Sequence, residues 1–354
     1  MTTSAEGLVT PEVARWLGDG LPEAVPPFAA EAITGGYSML TFRLSDSAGR
    51  GWVLRLPPAG QSAGGAHDPL REARAMRALG DRSGVPVPRV RIVGAPDDPL
   101  GVCHVTDFVE GHVLSAKEQA EASLSPDAMR NATANLVDVL ATMHDVDPDA
   151  VGLGDLGPSE DYNGRQLRRW RRVVAGLAES ALEGVAERAD RLDRLGDALA
   201  ARLPADRAGR IVHADFRLGN TIVSDEGEIR AVLDWELVTR GEPLADLGTL
   251  LVYWDPPEEA LLGVRAPTGA RGSLGSGEVV ERYAARTGRD VSDVGLYQAL
   301  ASWRLACLTL RTAVRFAAGA TVYDTSPGVF LDTCDVWMQL TDQELRATRP
   351  RSLR

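Results

Sequence analysis

The chain is poor in lysine: among its 354 residues Lys117 is the only one. Any chemistry that needs an ammonium group on a strand or loop elsewhere must therefore use arginine. Cysteine is scarce too, with Cys103, Cys307 and Cys334 far apart. Three thiols without metal-ligand spacing exclude a disulfide framework and a zinc site, and point to a reducing compartment. No run approaches the ~18 apolar residues of a membrane span, and the start, MTTSAEGLVTPEVARWL, lacks the basic and apolar regions of a secretory signal. The expectation is a cytoplasmic protein with no membrane partner. Positive charge is in deficit, 38 Lys+Arg against 50 Asp+Glu for a net charge of −12. That argues against nucleic acid as a partner, because such binding depends on cationic surface. Internal repeats are absent, so the length must be filled by one or two sizeable cores.

What is present divides into two parts. Pro11–Leu21 reads as a helix capped by Thr10. Strand-like runs at 39–44 and 52–56 flank the turn SDSAG and predict a hairpin. A helical stripe lies in PLREARAMRALG, followed by strand candidates at 89–93 and 102–109. Beyond Gly111 the periodicity is helical, over about 126–143, 165–177, 181–203 and 297–316. The fold class expected is α+β: a small β-rich lobe over residues 1–109 and a larger, mainly helical lobe over 110–354.

The segment IVHADFRLGN, Ile211 to Asn220, interrupts this helical half. Two strand formers lead into His213, Asp215, Arg217 and Asn220, and Asp234 ends the next apolar run, AVLD. The stretch VSDEGEIR between them reads as a hairpin turn that brings Asn220 and Asp234 together. An amide oxygen and a carboxylate are hard ligands suited to Mg²⁺ that bridges phosphates. Asp215 would face an acceptor hydroxyl, and Arg217 would offset charge on a phosphoryl group in transit. Positioning, metal and cation are the parts phosphoryl transfer needs.

The pattern H-x-D-x4-N followed by D-W resembles the catalytic and metal loops of the aminoglycoside phosphotransferase family, which has a protein-kinase-like two-lobe fold. RLGN, LDWELVTRGEPLADLG and VYW resemble more narrowly the phosphotransferases related to the kinase domains of acyl-CoA dehydrogenase family members 10 and 11. The resemblance runs over roughly residues 30–320. It implies that Asp215 is catalytic, that Asn220 and Asp234 hold the metal, and that Arg217 meets the γ-phosphate. It implies structural roles for His213 and for Asp246. In the smaller lobe it places Gly35, Gly36 and Ser38 over the phosphates of ATP, and Asp107, Phe108 and Val109 at the hinge beside adenine. Met39 departs from the family, whose members often carry Asn there. Arg55 stands where the family usually has a phosphate-gripping lysine, with Glu72 as its helix partner.

The implied activity is ATP- and Mg²⁺-dependent phosphorylation of a hydroxyl on a small molecule, a hydroxyacyl-CoA or, alternatively, an aminoglycoside antibiotic. A non-catalytic ATP-binding pseudokinase is a third reading, resting on the missing lysine. The basic run RQLRRWRR suggests an anionic acceptor, with Arg165, Arg169 and Arg304 as candidate contacts. The oligomeric state is not legible in the sequence.

Overall fold

The computed structural model describes residues 7–33, 39–57, 68–206, 209–319 and 325–348. Its first part is an antiparallel sheet of β1 (Ala29–Ala32), β2 (Leu40–Ser45), β3 (Gly51–Leu56), β4 (Val90–Gly94) and β5 (Cys103–Asp107). The strand order is β1-β2-β3-β5-β4. Successive strand residues point to opposite faces, and here the two faces have different tasks. Phe42, Leu44, Trp52, Leu54, Cys103 and Val105 form one core cluster with Val13 and Leu17 of α1 (Pro11–Gly20). Thr10 caps that helix through its hydroxyl, which accepts from the Val13 N–H, and Pro11 occupies the first turn. The other face carries Arg55 and His104, which are direct cross-strand partners. Against that face lies α2 (Pro69–Arg82), which turns Glu72 toward both.

The hinge candidates begin at the last residue of β5. The strand ends at Asp107, two residues short of the expected limit. Asp107 pairs with Arg91 at 3.4 Å, and the Arg43 guanidinium lies 4.3 Å from the Phe108 ring centroid. Gly35, Gly36 and Ser38 lie outside the described residues.

The second part is built from α3 (Lys117–Ser123), α4 (Pro126–Asp145), α5 (Tyr162–Ala175), α6 (Val185–Ala200), α7 (Pro243–Val252), α8 (Ser276–Thr287), α9 (Val294–Ala317) and α10 (Pro327–Ala347). Two short antiparallel ribbons are set among them. One pairs β6 (Arg210–Val212) with β9 (Thr239–Gly241), the other β7 (Thr221–Val223) with β8 (Ile229–Val232). The largest core joins α2, α4 and α7 with the residues around both ribbons, so the sheet-bearing part is seated on the helical part through α2. A second core joins α5, α6, α9 and α10. All three cysteines are buried and unpaired. Among the described residues no helix is long and apolar enough to cross a membrane.

Candidate active site

The two ribbons hold the site. β6 delivers His213 through Asn220 as a loop, and the hairpin β7–β8 returns the chain to Asp234. The register pair Thr221–Val232 and the Leu233 N–H bonded to the Asn220 carbonyl at 2.8 Å set Asn220 beside Asp234 at the hairpin's open end. The Asn220 amide donates to the Asp215 carbonyl oxygen and to its Oδ2, each at 2.8 Å. Its own carbonyl oxygen is thereby aimed away from Asp215. Arg217 Nε stands 3.6 Å from the same Oδ2, which leaves Oδ1 of Asp215 for an incoming group.

The loop is strained and clamped. Ala214 has φ 67° and Asp234 has φ 63°, left-handed values that cost a non-glycine residue roughly 1–3 kcal/mol. Asp246, in the first turn of α7, overcomes this by accepting from the His213 N–H at 2.6 Å and the Ala214 N–H at 2.8 Å, one on each oxygen. Arg304 of α9 donates to the Ala214 carbonyl at 2.8 Å from the far side. Burial acts to raise the Asp246 carboxyl, but the His144 bond, its charge and the backbone donor together hold it below the usual range. His213 Nε2 must carry its proton, because it bonds the Leu233 carbonyl at 2.9 Å, while Nδ1 accepts from the Asp215 N–H at 3.3 Å. The ring packs 4.8 Å from Trp235, fully buried beneath the loop.

From the sheet side Arg55 reaches the same place. It donates to Glu72 Oε1 at 2.5 Å and to Asp234 Oδ1 at 3.2 Å. Burial opposes its charge, and Glu72 and Asp234 more than restore it. Glu72 Oε1 also accepts from the Trp235 N–H at 3.2 Å. Its Oε2 is buried without a hydrogen-bond partner, 3.8 Å from His104 Nε2. Burial raises the Glu72 carboxyl and Arg55 only partly opposes it. The same burial lowers His104 to about 3, so its imidazole stays neutral.

Asn220 and Asp234 suit a hard cation by donor chemistry, an amide oxygen and a carboxylate. Among the described residues no group of three or more His, Cys, Asp or Glu could hold a metal. An ion here would thus complete its shell with water and phosphate oxygens, as Mg²⁺ commonly does.

Next to Arg217 opens a cavity of about 400 Å³. Leu250, Leu261, Leu305, Leu308, Phe330 and Trp337 form much of its wall, and among the described residues no carboxylate lines it. Leu262 and Val264, both lining residues, are each 42 % exposed. Arg217 lies with its guanidinium 5.2 Å from the ring centre of Tyr253, which burial pushes up to about 12.

Sequence reasoning did not single out Tyr253 or the cavity walls of α9 and α10. Tyr253 lay inside the VYW stretch, a usable signal, whereas leucines and threonines on a helix carry none. Two arginines proposed as acceptor contacts are turned elsewhere. Arg165 donates to the carbonyls of Pro158 and Arg240, and Arg304 braces Ala214. Arg169 is exposed on α5.

A loop presenting a carboxylate, an amide and a guanidinium beside a second carboxylate on a paired hairpin is the layout of a phosphoryl-transfer enzyme. The family model described as the phosphotransferase enzyme family, APH, matches residues 29–286, and the chain belongs to that family. It has a protein-kinase-like two-lobed fold. A solved structure of a putative aminoglycoside phosphotransferase from Ralstonia eutropha is similar at 26 % identity and TM-score 0.76, covering 94 % of this chain and 98 % of that one. An ADP-bound aminoglycoside phosphotransferase shares the fold, with TM-score 0.58 at 14 % identity, over 95 % of this chain and 99 % of its own. Among curated proteins, acyl-CoA dehydrogenase family member 10 of Mus musculus is 33 % identical over 223 residues. That match takes in 62 % of this chain and 20 % of the mouse protein, so the chain spans only a fraction of that relative.

Proposed function

We propose that this protein transfers the γ-phosphoryl group of ATP to a hydroxyl on a small molecule with an apolar body, a hydroxyacyl thioester. The observation that carries this reading is the largely apolar cavity beside Arg217, which has no carboxylate among its described lining residues and connects to Asp215 through Arg217. A polycationic aminoglycoside would have to shed its hydration there without any anionic partner, which is costly. An acyl chain gains from the same wall. The acyl-CoA dehydrogenase names of several curated relatives support a thioester, and the ADP of one structural relative supports a nucleotide in the cleft.

In this reading Asp215 Oδ1 accepts the acceptor's hydroxyl proton, while Asn220 and Arg217 hold Oδ2 and so set the carboxylate's rotation. The acceptor oxygen bonds to the γ-phosphorus as the bond to the β–γ bridging oxygen breaks, leaving ADP. Arg217 faces the charge that spreads over the transferred group. Mg²⁺ held by Asn220 and Asp234 would supply charge neutralisation on the phosphates. Arg55, tied to Glu72, takes the place of the missing lysine.

The test is mass spectrometry of acceptors after incubation with ATP and Mg²⁺, pairing 4-hydroxyacyl-CoAs with aminoglycosides. A phosphorylated thioester is expected, with Asp215→Ala lowering kcat by roughly 10²–10⁴-fold. A phosphorylated aminoglycoside, with the thioesters untouched, would overturn the acceptor reading. ATP binding without turnover on any acceptor would return the pseudokinase.

A further inference from the structure

In a chain with twelve surplus negative charges, arginines normally find carboxylates. Those of α5 illustrate this: Arg168 pairs with Asp161, and Arg171 with Asp193 and Asp197. Others do not, and three of these lie together. Arg169 on α5, and Arg311 and Arg315 on α9, have no hydrogen bond or ion pair to any described residue. They are nevertheless gathered together. Arg169 and Arg311 lie 5.8 and 5.6 Å from the ring centre of Trp170. Arg311 Nε is buried without a partner. Burial, then the charges of Arg315 and Arg169, pull Arg311 down, and among the described residues no carboxylate acts in the other direction. Three guanidinium groups held close with no counter-charge among the described residues repel one another, and an anion would relieve them.

Their position on α9 matters. Leu305, Leu308, Thr309 and Thr312 face the cavity. At 100° per residue Arg304, Arg311 and Arg315 form the adjoining stripe of the same helix. One end of that stripe touches the catalytic loop, where Arg304 holds Ala214. Arg311 and Arg315 come seven and eleven residues later, ~10 and ~16 Å along the axis. None of the three is itself a lining residue, and the stripe runs alongside the cavity-facing residues of α9, from the catalytic loop toward the cationic cluster.

We propose that Arg169, Arg311 and Arg315 form an anion subsite that holds a phosphate group borne by the acceptor, at the end of the apolar cavity remote from Asp215. The inference rests on the cavity being the acceptor site. It narrows the substrate class to molecules whose hydroxyl and phosphate are joined by a linker on the order of 10–16 Å, the axial distance set by the helix. Arginine forks suit phosphate oxygens, and the Trp170 face fixes two of them in place.

Two measurements on the full chain test it. In the first, inorganic pyrophosphate is titrated calorimetrically into protein whose nucleotide site is already filled with ADP. Wild type should bind it, and the surface variant Arg169→Gln/Arg315→Gln should bind at least tenfold more weakly. Arg311→Gln should do the same, with thermal melts confirming that each variant is folded. No binding by wild type, or equal binding by the variants, overturns the subsite. Binding of pyrophosphate that phosphate-bearing acceptors do not compete for means an adventitious or regulatory anion, and also overturns it.

The second measurement compares kcat/KM for one hydroxyacyl group on a phosphate-bearing thiol carrier and on a truncated carrier without phosphate. Wild type should prefer the former by at least tenfold, and the variants should bring that ratio toward one. An unchanged ratio removes the acceptor's phosphate from the subsite. Failure of wild type to phosphorylate either thioester would instead overturn the hydroxyacyl reading. The pyrophosphate titration would then still judge the arginines by themselves.

Discussion

Two buried carboxylates support this site, and they are held in opposite ways. Asp246 is 0 % exposed and Glu72 is 2 % exposed. Asp246 has both oxygens engaged, with the N–H groups of His213 and Ala214 on one side and His144 behind. Glu72 puts two donors, Arg55 and the Trp235 N–H, on a single oxygen and leaves the other without a partner. Their titration follows from this. Bonds to the charged form hold Asp246 low despite burial, whereas burial wins at Glu72 and raises it. The first carboxylate is a fixed strut under a strained loop. The second is a partly satisfied anchor for Arg55, whose side chain links the sheet to Asp234. A rigid catalytic loop and an adjustable phosphate-side cation are what a cleft that must admit and release a nucleotide requires.

The comparison is broken most severely at Asp246. Asp246→Ala leaves two buried N–H donors without an acceptor and His144 without a carboxylate. A loss of roughly 3–5 kcal/mol is expected, as for other broken buried charge networks, and urea unfolding measures it. A loss under 1 kcal/mol would mean the clamp is not what holds Ala214 in its strained conformation.

Arg55→Lys probes the other side. A single ammonium cannot reproduce a fork that spans Glu72 and Asp234, so kcat/KM for ATP should fall by roughly tenfold with little change in melting temperature. Higher activity in the lysine variant would instead show that Arg55 restrains the enzyme rather than serving it.

The smallest effect is the sharpest discriminator, the slope of stability with pH. Asp246 is depressed in the fold, so its contribution is present above 3.8 and is lost as pH falls below that value. Glu72 is raised, so its neutral form favours the fold at low pH and that contribution is lost as pH climbs above 4.5. Measured by urea unfolding, the wild type's advantage over Asp246→Asn should therefore grow as pH rises toward 3.8. Its advantage over Glu72→Gln should shrink as pH rises from 4.5. Slopes of the same sign would remove the distinction between strut and anchor.

Much of the architecture was visible beforehand for a plain reason: amphipathic helices and turn chemistry are local. Thr10 before Pro11, the SDSAG turn and the stripe of α4 all appear where their patterns place them. Elements without local contrast escaped. β1 is AAEA, an edge strand with no β-branched or aromatic residue, and α7 is buried along its whole length, so neither carries a periodic signal. The arginines mark the same boundary within the site. In RQLRRWRR they are chemically identical, yet Arg165 is spent on backbone carbonyls, Arg168 and Arg171 on aspartates, and Arg169 on neither.

What the sequence by itself determined is the chemistry on offer. The spacing of His213, Asp215, Arg217 and Asn220 and the return to Asp234 are written within one loop and one hairpin, although Asp246 and Arg304 are needed to hold that loop. What tertiary structure decided is which charges are buried, which are paired and what the acceptor touches. Those depend on α7, α9 and α10 meeting around the cavity beside Arg217, with α5 packed against α9. Burial and pairing are properties of neighbours distant in the chain, and no pattern within one segment encodes them.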